Sequence, residues 1–349
     1  MRIGILTFLH NGNYGSSLQA YALQRVIRQM GYDCEQIDYQ PDNREKVMNM
    51  IRCGNSPKLL LDGIRKRKVQ AEQPGARKKQ ERILDFYSRR MTLSSPCRNR
   101  KELASLSETY DLLVCGSDQI WNPIWMNSAY FLDFAEPEKI RVAYAPSLGI
   151  SNVPGRRKRI RIRRMTALFD AISVREEEGA RLMVTMTGSR PPVMPDPVCL
   201  LTKTEWEEII SPVKMDKPCL LCYFIGENPD YWSRTKETAE QTGLEPLVIP
   251  VTDESYRQGM KILDGAGPEE FLAAVAGARM VITDSFHGLA FSSVFGRPVE
   301  LLRRYREDDR ESKNSRVDHF LREKKAKGLE RMREEGLAWL EHNLVIPEK

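Results

Sequence analysis

The pattern of this sequence points to two doubly wound α/β domains facing a cleft. Short apolar runs alternate with segments that are apolar at helical spacing, the pattern of successive βα units. The alternation comes in two series, parted by the proline-dense stretch Ser189–Pro197, which reads as a linker. A length of 349 residues also suits two domains better than one. The expected boundaries are an N-terminal domain over 1–188 with an insertion at about 41–100, a linker at 189–198, a C-terminal domain over 199–325 and a terminal helix over 326–349.

The first series opens with Arg2–Phe8, a buried-strand pattern, followed by the turn His10–Ser17 and by Leu18–Ile27, which is apolar at helical spacing. The glycines of that turn let backbone approach a ligand, and Ser16 or Ser17 is placed to cap the helix. Cys34–Tyr39 is the next strand. Residues 41–100 are charge-rich and read as a partly helical insertion with a mobile middle near 68–76. Tyr110–Cys115 is another strand, and Gly116-Ser-Asp-Gln-Ile-Trp-Asn122 is the loop at its carboxyl end. Small polar residues, an amide and an indole there suit a sugar, with donors for its hydroxyls and a flat face for its ring; a turn around a buried Trp121 is the other reading. Tyr130–Phe134 and Arg141–Ser147 continue the sheet. Arg156–Phe169 is a basic helix with Ile160, Ile162, Met165 and Leu168 on its apolar side. Ala171–Arg175 is a strand ending on an arginine, whose guanidinium either forks onto an anionic ligand or pairs with Glu177 or Glu178.

The second series runs through Cys219–Ile225, Trp232–Thr242, Leu247–Val251, Pro268–Gly277, Arg279–Thr283, Leu289–Phe295 and Val299–Leu302. Within it, Met280–Thr283, Asp284-Ser-Phe-His-Gly288 and the following apolar segment fit strand, tight turn and helix. A histidine at that place faces a helix N-terminus, which favours anions. His287 therefore reads either as a proton-transfer group for a phosphorylated or carboxylated substrate, or as a ring that packs or caps the helix.

Composition narrows the function classes. Charged residues make up 29% and no apolar run approaches the ~20 residues of a membrane span, so the expectation is a soluble protein. The N-terminus lacks the pattern of a signal peptide, which makes a cytoplasmic protein the expectation. The net charge of +6 is modest, but basic residues are bunched in Arg65–Lys68, Arg77–Lys79 and Arg156–Arg164. These runs read as solvated helix faces, with peripheral contact to an anionic membrane or polymer retained as a second reading; no nucleic-acid motif accompanies them. The seven cysteines are scattered, and Cys219-Leu-Leu-Cys222 lies inside a strand pattern, so core packing is expected and no metal site.

Several stretches in order are shared with one family: Asn11-x-x-x-Gly15-Ser16-x-Leu-Gln-Ala, Gly116–Asn122, Ser173-Val-Arg-Glu-Glu-Glu-Gly179, Asp196-Pro197, Ser285-Phe-His-Gly288 with Phe295-Gly-Arg-Pro298, and Asn314-Ser-Arg316. Together they make the chain resemble the polysaccharide pyruvyl transferase family. The resemblance implies a GT-B-like fold of two Rossmann-like domains, the N-terminal one on the acceptor side and the C-terminal one on the donor side. It implies transfer of a pyruvyl group from phosphoenolpyruvate to sugar hydroxyls of a glycan precursor, giving a pyruvate ketal and phosphate. The expected partners are phosphoenolpyruvate as donor substrate, with no cofactor, and a sugar or lipid-linked oligosaccharide acceptor, met in the cytoplasm or at the inner face of the membrane. His287 and Arg175 carry over as catalytic. Asn11, Gly15, Ser16, Gly116, Ser117, Asp118, Gln119, Trp121, Asp284, Ser285, Phe286, Gly288 and Arg316 carry over as substrate-binding, with Asp118 or Asp284 as a base for a hydroxyl proton. Some members have Arg-Leu-His where this chain has Ser285-Phe286-His287; Arg297, Arg303, Arg304 or Arg316 stands in for that arginine. Two rival readings are a GT-B-like glycosyltransferase using a sugar nucleotide, and a non-catalytic binder of acidic glycan or anionic membrane.

Overall fold

The computed structural model describes residues 1–152, 155–211, 217–304 and 315–345, which fall into two compact units. In chain order the elements are β1 (Arg2–Leu6), α1 (Tyr14–Gln29), β2 (Asp33–Gln36), α2 (Asn43–Cys53), α3 (Pro57–Ala71), α4 (Ala76–Arg90), α5 (Arg100–Ser107), β3 (Leu112–Cys115), β4 (Ile140–Ala143), α6 (Arg156–Thr166), β5 (Ala171–Ile172) and α7 (Glu177–Thr187). There follow α8 (Lys203–Glu207), β6 (Cys219–Tyr223), α9 (Asp230–Thr242), β7 (Glu245–Val248), α10 (Asp253–Tyr256), β8 (Lys261–Ile262), α11 (Pro268–Gly277), β9 (Met280–Thr283), α12 (Phe286–Val294), β10 (Val299–Leu301) and α13 (Ser315–Asn343).

The first unit comprises residues 1–61, 87–200 and 308–349. Its sheet is parallel throughout, in the order β2-β1-β3-β4-β5. β3 is buried along its whole length, Leu112-Leu-Val-Cys115, because both faces of a parallel sheet are covered. The strand order reverses direction between β1 and β3. Loops at the carboxyl ends of such a pair splay apart and leave a crevice, the usual ligand position in an open α/β sheet.

The second unit comprises residues 62–86 and 201–307. Its sheet is also parallel, in the order β10-β9-β6-β7-β8, so the reversal lies between β6 and β9. Cys219 and Cys222 are buried strand residues of β6, and burial raises both thiols above their ordinary range. Each unit is thus a doubly wound α/β fold, as the alternating pattern implied.

Several boundaries differ from those expected. The 189–198 segment is not a free linker: Val193 bridges Val174 in parallel, and the chain stays in the first unit to Leu200. The expected insertion is divided between units. Residues 62–86 join the second, where Arg82 Nη1 donates to the Gly265 carbonyl at 3.0 Å and Gln73 Nε2 to the Val251 carbonyl at 3.2 Å. Its middle is largely helix, since α3 extends to Ala71 and α4 starts at Ala76. The terminal helix starts earlier than expected, at Ser315, is kinked at Gly328 and belongs to the first unit. Tyr130–Phe134 is no strand. Asn127 caps a 3₁₀ turn over Ser128–Phe131 by accepting from Ala129 N at 3.0 Å, and Leu132 closes it with φ 53°; local capping outweighs aromatic strand preference. α6 ends at Thr166, short of the expected Phe169; on it Ile162 is buried but Ile160 is exposed, as is Leu168 beyond its end, so the expected apolar side is only partly inward.

Candidate active site

In the first unit the residues marked by sequence converge at the β1/β3 crevice. Asn13, rather than Ser16 or Ser17, caps α1, accepting from Gly15 N at 2.9 Å. Ser16 is thereby freed to point at the β3 loop. Asn11 Nδ2 donates to Ser16 Oγ at 2.9 Å, and Ser16 Oγ donates to Asp118 Oδ2 at 2.6 Å. Asp118 Oδ1 accepts from Gln119 N at 2.7 Å. The β3 loop can take this course because residue 116 is glycine: φ is 128°, and a Cβ there would lie 2.0 Å from the Tyr144 carbonyl oxygen. Ser117 is spent inside the protein. Its N–H donates to Gln19 Oε1 at 2.9 Å, its hydroxyl to the Ala145 carbonyl at 2.5 Å, and its carbonyl accepts from Thr7 at 3.1 Å. Ser117 is thus a support of the loop. Gln19 was quoted in the shared motif yet not expected at the site; its amide also bonds Thr7 Oγ1 at 2.9 Å and locks the two loops together.

Arg316 arrives from α13 onto the same loop. With the Gln119 amide oriented so that its oxygen faces the guanidinium, that oxygen accepts from Arg316 Nη1 and Nη2, both at 2.9 Å. Asn314 of the same motif lies outside the described residues.

Arg175 is almost wholly buried and ringed by acid groups. Asp196 lies at 2.5 Å, Asp118 at 3.9 Å and Glu176 at 4.0 Å. Burial works against its charge, but Asp196, Asp118 and Glu176 outweigh it and raise the guanidinium pKa. The ion-pair partners expected from sequence, Glu177 and Glu178, turn outward to Arg190 and Arg181. Arg175 is set to hold Asp118 and Asp196 in place rather than to present an open fork. The Glu176 Oε1 oxygen in turn accepts from Ser147 Oγ at 2.9 Å and from Leu148 N and Gly149 N at 3.2 and 3.3 Å.

Trp121 does not offer a sugar platform. It is 1% exposed, stacks on Phe131 at 4.9 Å, meets the edge of Phe169, and donates Nε1–H to the Tyr130 carbonyl at 3.0 Å. An indole with its faces and N–H all engaged belongs to the core.

In the second unit the β6/β9 crevice is tied by Asp284. Its carboxylate accepts from Ile225 N at 2.7 Å, Gly226 N at 2.8 Å, Tyr231 Oη at 2.9 Å and Arg304 Nε at 2.7 Å. Four donors on a carboxylate of no side-chain exposure make Asp284 the clasp of two loops and remove it as the hydroxyl base. Of the arginines considered as stand-ins, Arg304 binds at this turn, and its Nη2 also reaches the Asp284 carbonyl at 3.2 Å. Ser285 caps α12, accepting from Gly288 N at 3.3 Å. Phe286 and His287 form the first helical positions, their rings edge to face at 5.2 Å, and His287 is 7% exposed. Gly288 lets α12 sit close on β9, for a Cβ would lie 2.6 Å from Thr283 Oγ1.

One pair at the carboxyl end of the first sheet was missed. His10 Nε2 lies 2.6 Å from Asp38 Oδ1, and Gln40 donates to both Asp38 oxygens at 3.0 and 2.9 Å. Burial would raise the Asp38 pKa, but the hydrogen bonds from His10 and Gln40 and the charge of His10 outweigh it, so the carboxyl stays below its ordinary range. The signal lay in His10 preceding Asn11 in the glycine-rich turn. No group of His, Cys, Asp or Glu able to hold a metal ion occurs among the described residues.

A family model described as polysaccharide pyruvyl transferase matches residues 13–299, more than half of the chain. No curated protein matches this chain. Among solved structures, the UDP-GlcNAc 2-epimerase from Neisseria meningitidis bound to UDP-GlcNAc is similar over 99% of this chain and 99% of that one, with TM-score 0.51 and 10% identity. The MnaA–UDP structure from S. aureus is similar over 96% of this chain and 91% of that one, with TM-score 0.50 and 8% identity. At such identities the likeness is one of fold, and that fold is GT-B-like: two Rossmann-like α/β units.

Proposed function

The chain belongs to the polysaccharide pyruvyl transferase family, and on that premise we propose that it moves a pyruvyl group from phosphoenolpyruvate to two hydroxyls of a sugar in a glycan precursor. One observation carries this reading. Asn11, Ser16, Asp118, Gln119 and Arg316, far apart in sequence, meet at the crevice of the first sheet.

The reaction sets the demands. Two sugar hydroxyls bond to C2 of the donor, and the C2–O bond to phosphate breaks. One hydroxyl proton ends on C3, which becomes the methyl group, and the other leaves with phosphate. No cofactor enters this balance. The protein must relay protons and hold a carboxylate and a phosphate. In our reading the acceptor binds at the first unit, where the Asp118 carboxylate, aimed by Ser16 and backed by Arg175, takes a hydroxyl proton. The donor binds at the second, where the α12 N-terminus and Arg304 favour its anionic groups. His287 delivers the proton to C3, since imidazole can give and take a proton near neutrality. The compartment proposed is the cytoplasm; no helix among the described residues is long and apolar enough to cross a membrane.

The test is turnover. Incubation with phosphoenolpyruvate and lipid-linked or free oligosaccharide acceptors should release phosphate and add a pyruvate ketal to the acceptor, read by mass. His287→Ala should slow it about 10²–10⁴-fold; unchanged turnover removes His287 from proton transfer. A second reading, glycosyl transfer from a sugar nucleotide, draws on the UDP-GlcNAc and UDP held by the two similar structures. Under that reading a labelled sugar, not pyruvate, appears on the acceptor.

A further inference from the structure

Helix α2 is amphipathic in the reverse sense. Its inward face is polar. Asn49 Nδ2 donates to the Met126 carbonyl at 3.1 Å and its Oδ1 accepts from Ser128 N at 3.1 Å, while buried Glu45 pairs with Arg52 at 3.1 Å. Its outward stripe, Arg44, Val47, Met48 and Ile51 at i, i+3, i+4 and i+7, puts apolar side chains in water. Val47 is 41% exposed, Met48 47% and Ile51 63%. A surface helix ordinarily turns such a stripe to the core.

Helix α6 lies beside the end of α2: Lys158 Nζ donates to Asn55 Oδ1 at 3.2 Å, and the Arg161 guanidinium rests against Gly54. It contains no acidic residue. Arg156, Arg157, Arg159, Arg163 and Arg164 are exposed, and none forms an ion pair with a carboxylate among the described residues. Ile160, 42% exposed, sits among them. The helix that follows α2 repeats the composition, α3 exposing Leu61, Ile64 and Val69 alongside Arg65, Arg67 and Lys68.

We propose that α2 and α6 form a docking surface for an anionic lipid bilayer, α6 against the headgroups and the α2 stripe inserted at the acyl boundary. Arginines alone would suit any polyanion. A soluble polyanion, however, leaves Val47, Met48 and Ile51 in water, whereas a bilayer offers negative charge and an apolar layer at adjacent depths. This surface is independent of the donor assigned above.

The test is co-sedimentation of the whole protein with phosphatidylcholine vesicles, with and without phosphatidylglycerol, for wild type, Met48→Ser/Ile51→Ser and Arg163→Ala/Arg164→Ala. Wild type should bind only the anionic vesicles and release with added salt, and each double variant should bind at least about tenfold more weakly. Thermal midpoints should stay unchanged, since all four side chains are exposed. Absence of binding to anionic vesicles overturns the proposal. So does equal binding by wild type and Met48→Ser/Ile51→Ser, and if heparin is then held equally by both, the surface is one for a soluble polyanion.

Discussion

Arg175 and Asp196 form an ion pair at 2.5 Å with both side chains withdrawn from solvent. The pair welds the segment before α8 to the turn between β5 and α7 and sets the guanidinium beside Asp118. Truncating Arg175 leaves Asp196, Asp118 and Glu176 clustered without their counter-charge. Arg175→Ala should therefore lose about 3–5 kcal/mol in urea unfolding, the cost of orphaning buried charge. Arg175→Lys should recover only part of it, because an ammonium lacks the planar fork. A loss below about 1 kcal/mol for Arg175→Ala would mean that the cluster is hydrated and its acids readily protonate.

Trp121 gives a prediction of the opposite kind to that of a binding residue. Trp121→Ala should destabilise the fold by about 3–5 kcal/mol, as large-to-small core changes do. Trp121→Phe should keep turnover close to wild type, with a smaller loss of stability. A tryptophan that stacked on sugar would instead show near-normal stability and a raised KM in the alanine variant.

The alternation of apolar runs was enough to read both sheets, because a parallel strand is buried on both faces and leaves a strong mark in sequence. The Asn11, Asp118 and Asp284 loops were also legible, since they follow strand ends. What stayed hidden was set by partners distant along the chain. Nothing local distinguishes Trp121 in the core from Trp121 in a pocket until Phe131 and Phe169 close over it. Asp284 looked like a free carboxylate because Ile225, Gly226, Tyr231 and Arg304 are contributed by other segments. The 189–198 prolines suggested a linker, although the bridge from Val193 to Val174 and the Arg175 bond to Asp196 fasten that segment to the first unit.

The His10–Asp38 pair predicts a pH dependence. Burial alone would raise the Asp38 carboxyl, but the hydrogen bonds from His10 and Gln40 and the His10 charge together outweigh it, so folding holds the carboxyl below its ordinary pKa. A depressed carboxyl contributes stability that is full above its unfolded pKa, about 3.9, and is lost as pH falls through the folded value. Wild type should therefore exceed Asp38→Asn in urea unfolding near neutrality, and the difference should shrink once the pH falls below about 4. A difference that is the same at both pH values would show that the carboxylate charge at Asp38 contributes nothing.

Phosphoenolpyruvate as donor, the core of the proposed function, is best probed by thermal unfolding with this ligand and with UDP-GlcNAc, each in separate titrations. A ligand present at about 100 times its Kd stabilises the native state by about 2.7 kcal/mol. The Tm should rise in a concentration-dependent way with phosphoenolpyruvate, less so in Arg304→Lys and His287→Ala, and should change little with UDP-GlcNAc. A rise with UDP-GlcNAc and none with phosphoenolpyruvate would contradict it and assign the crevices to a sugar nucleotide.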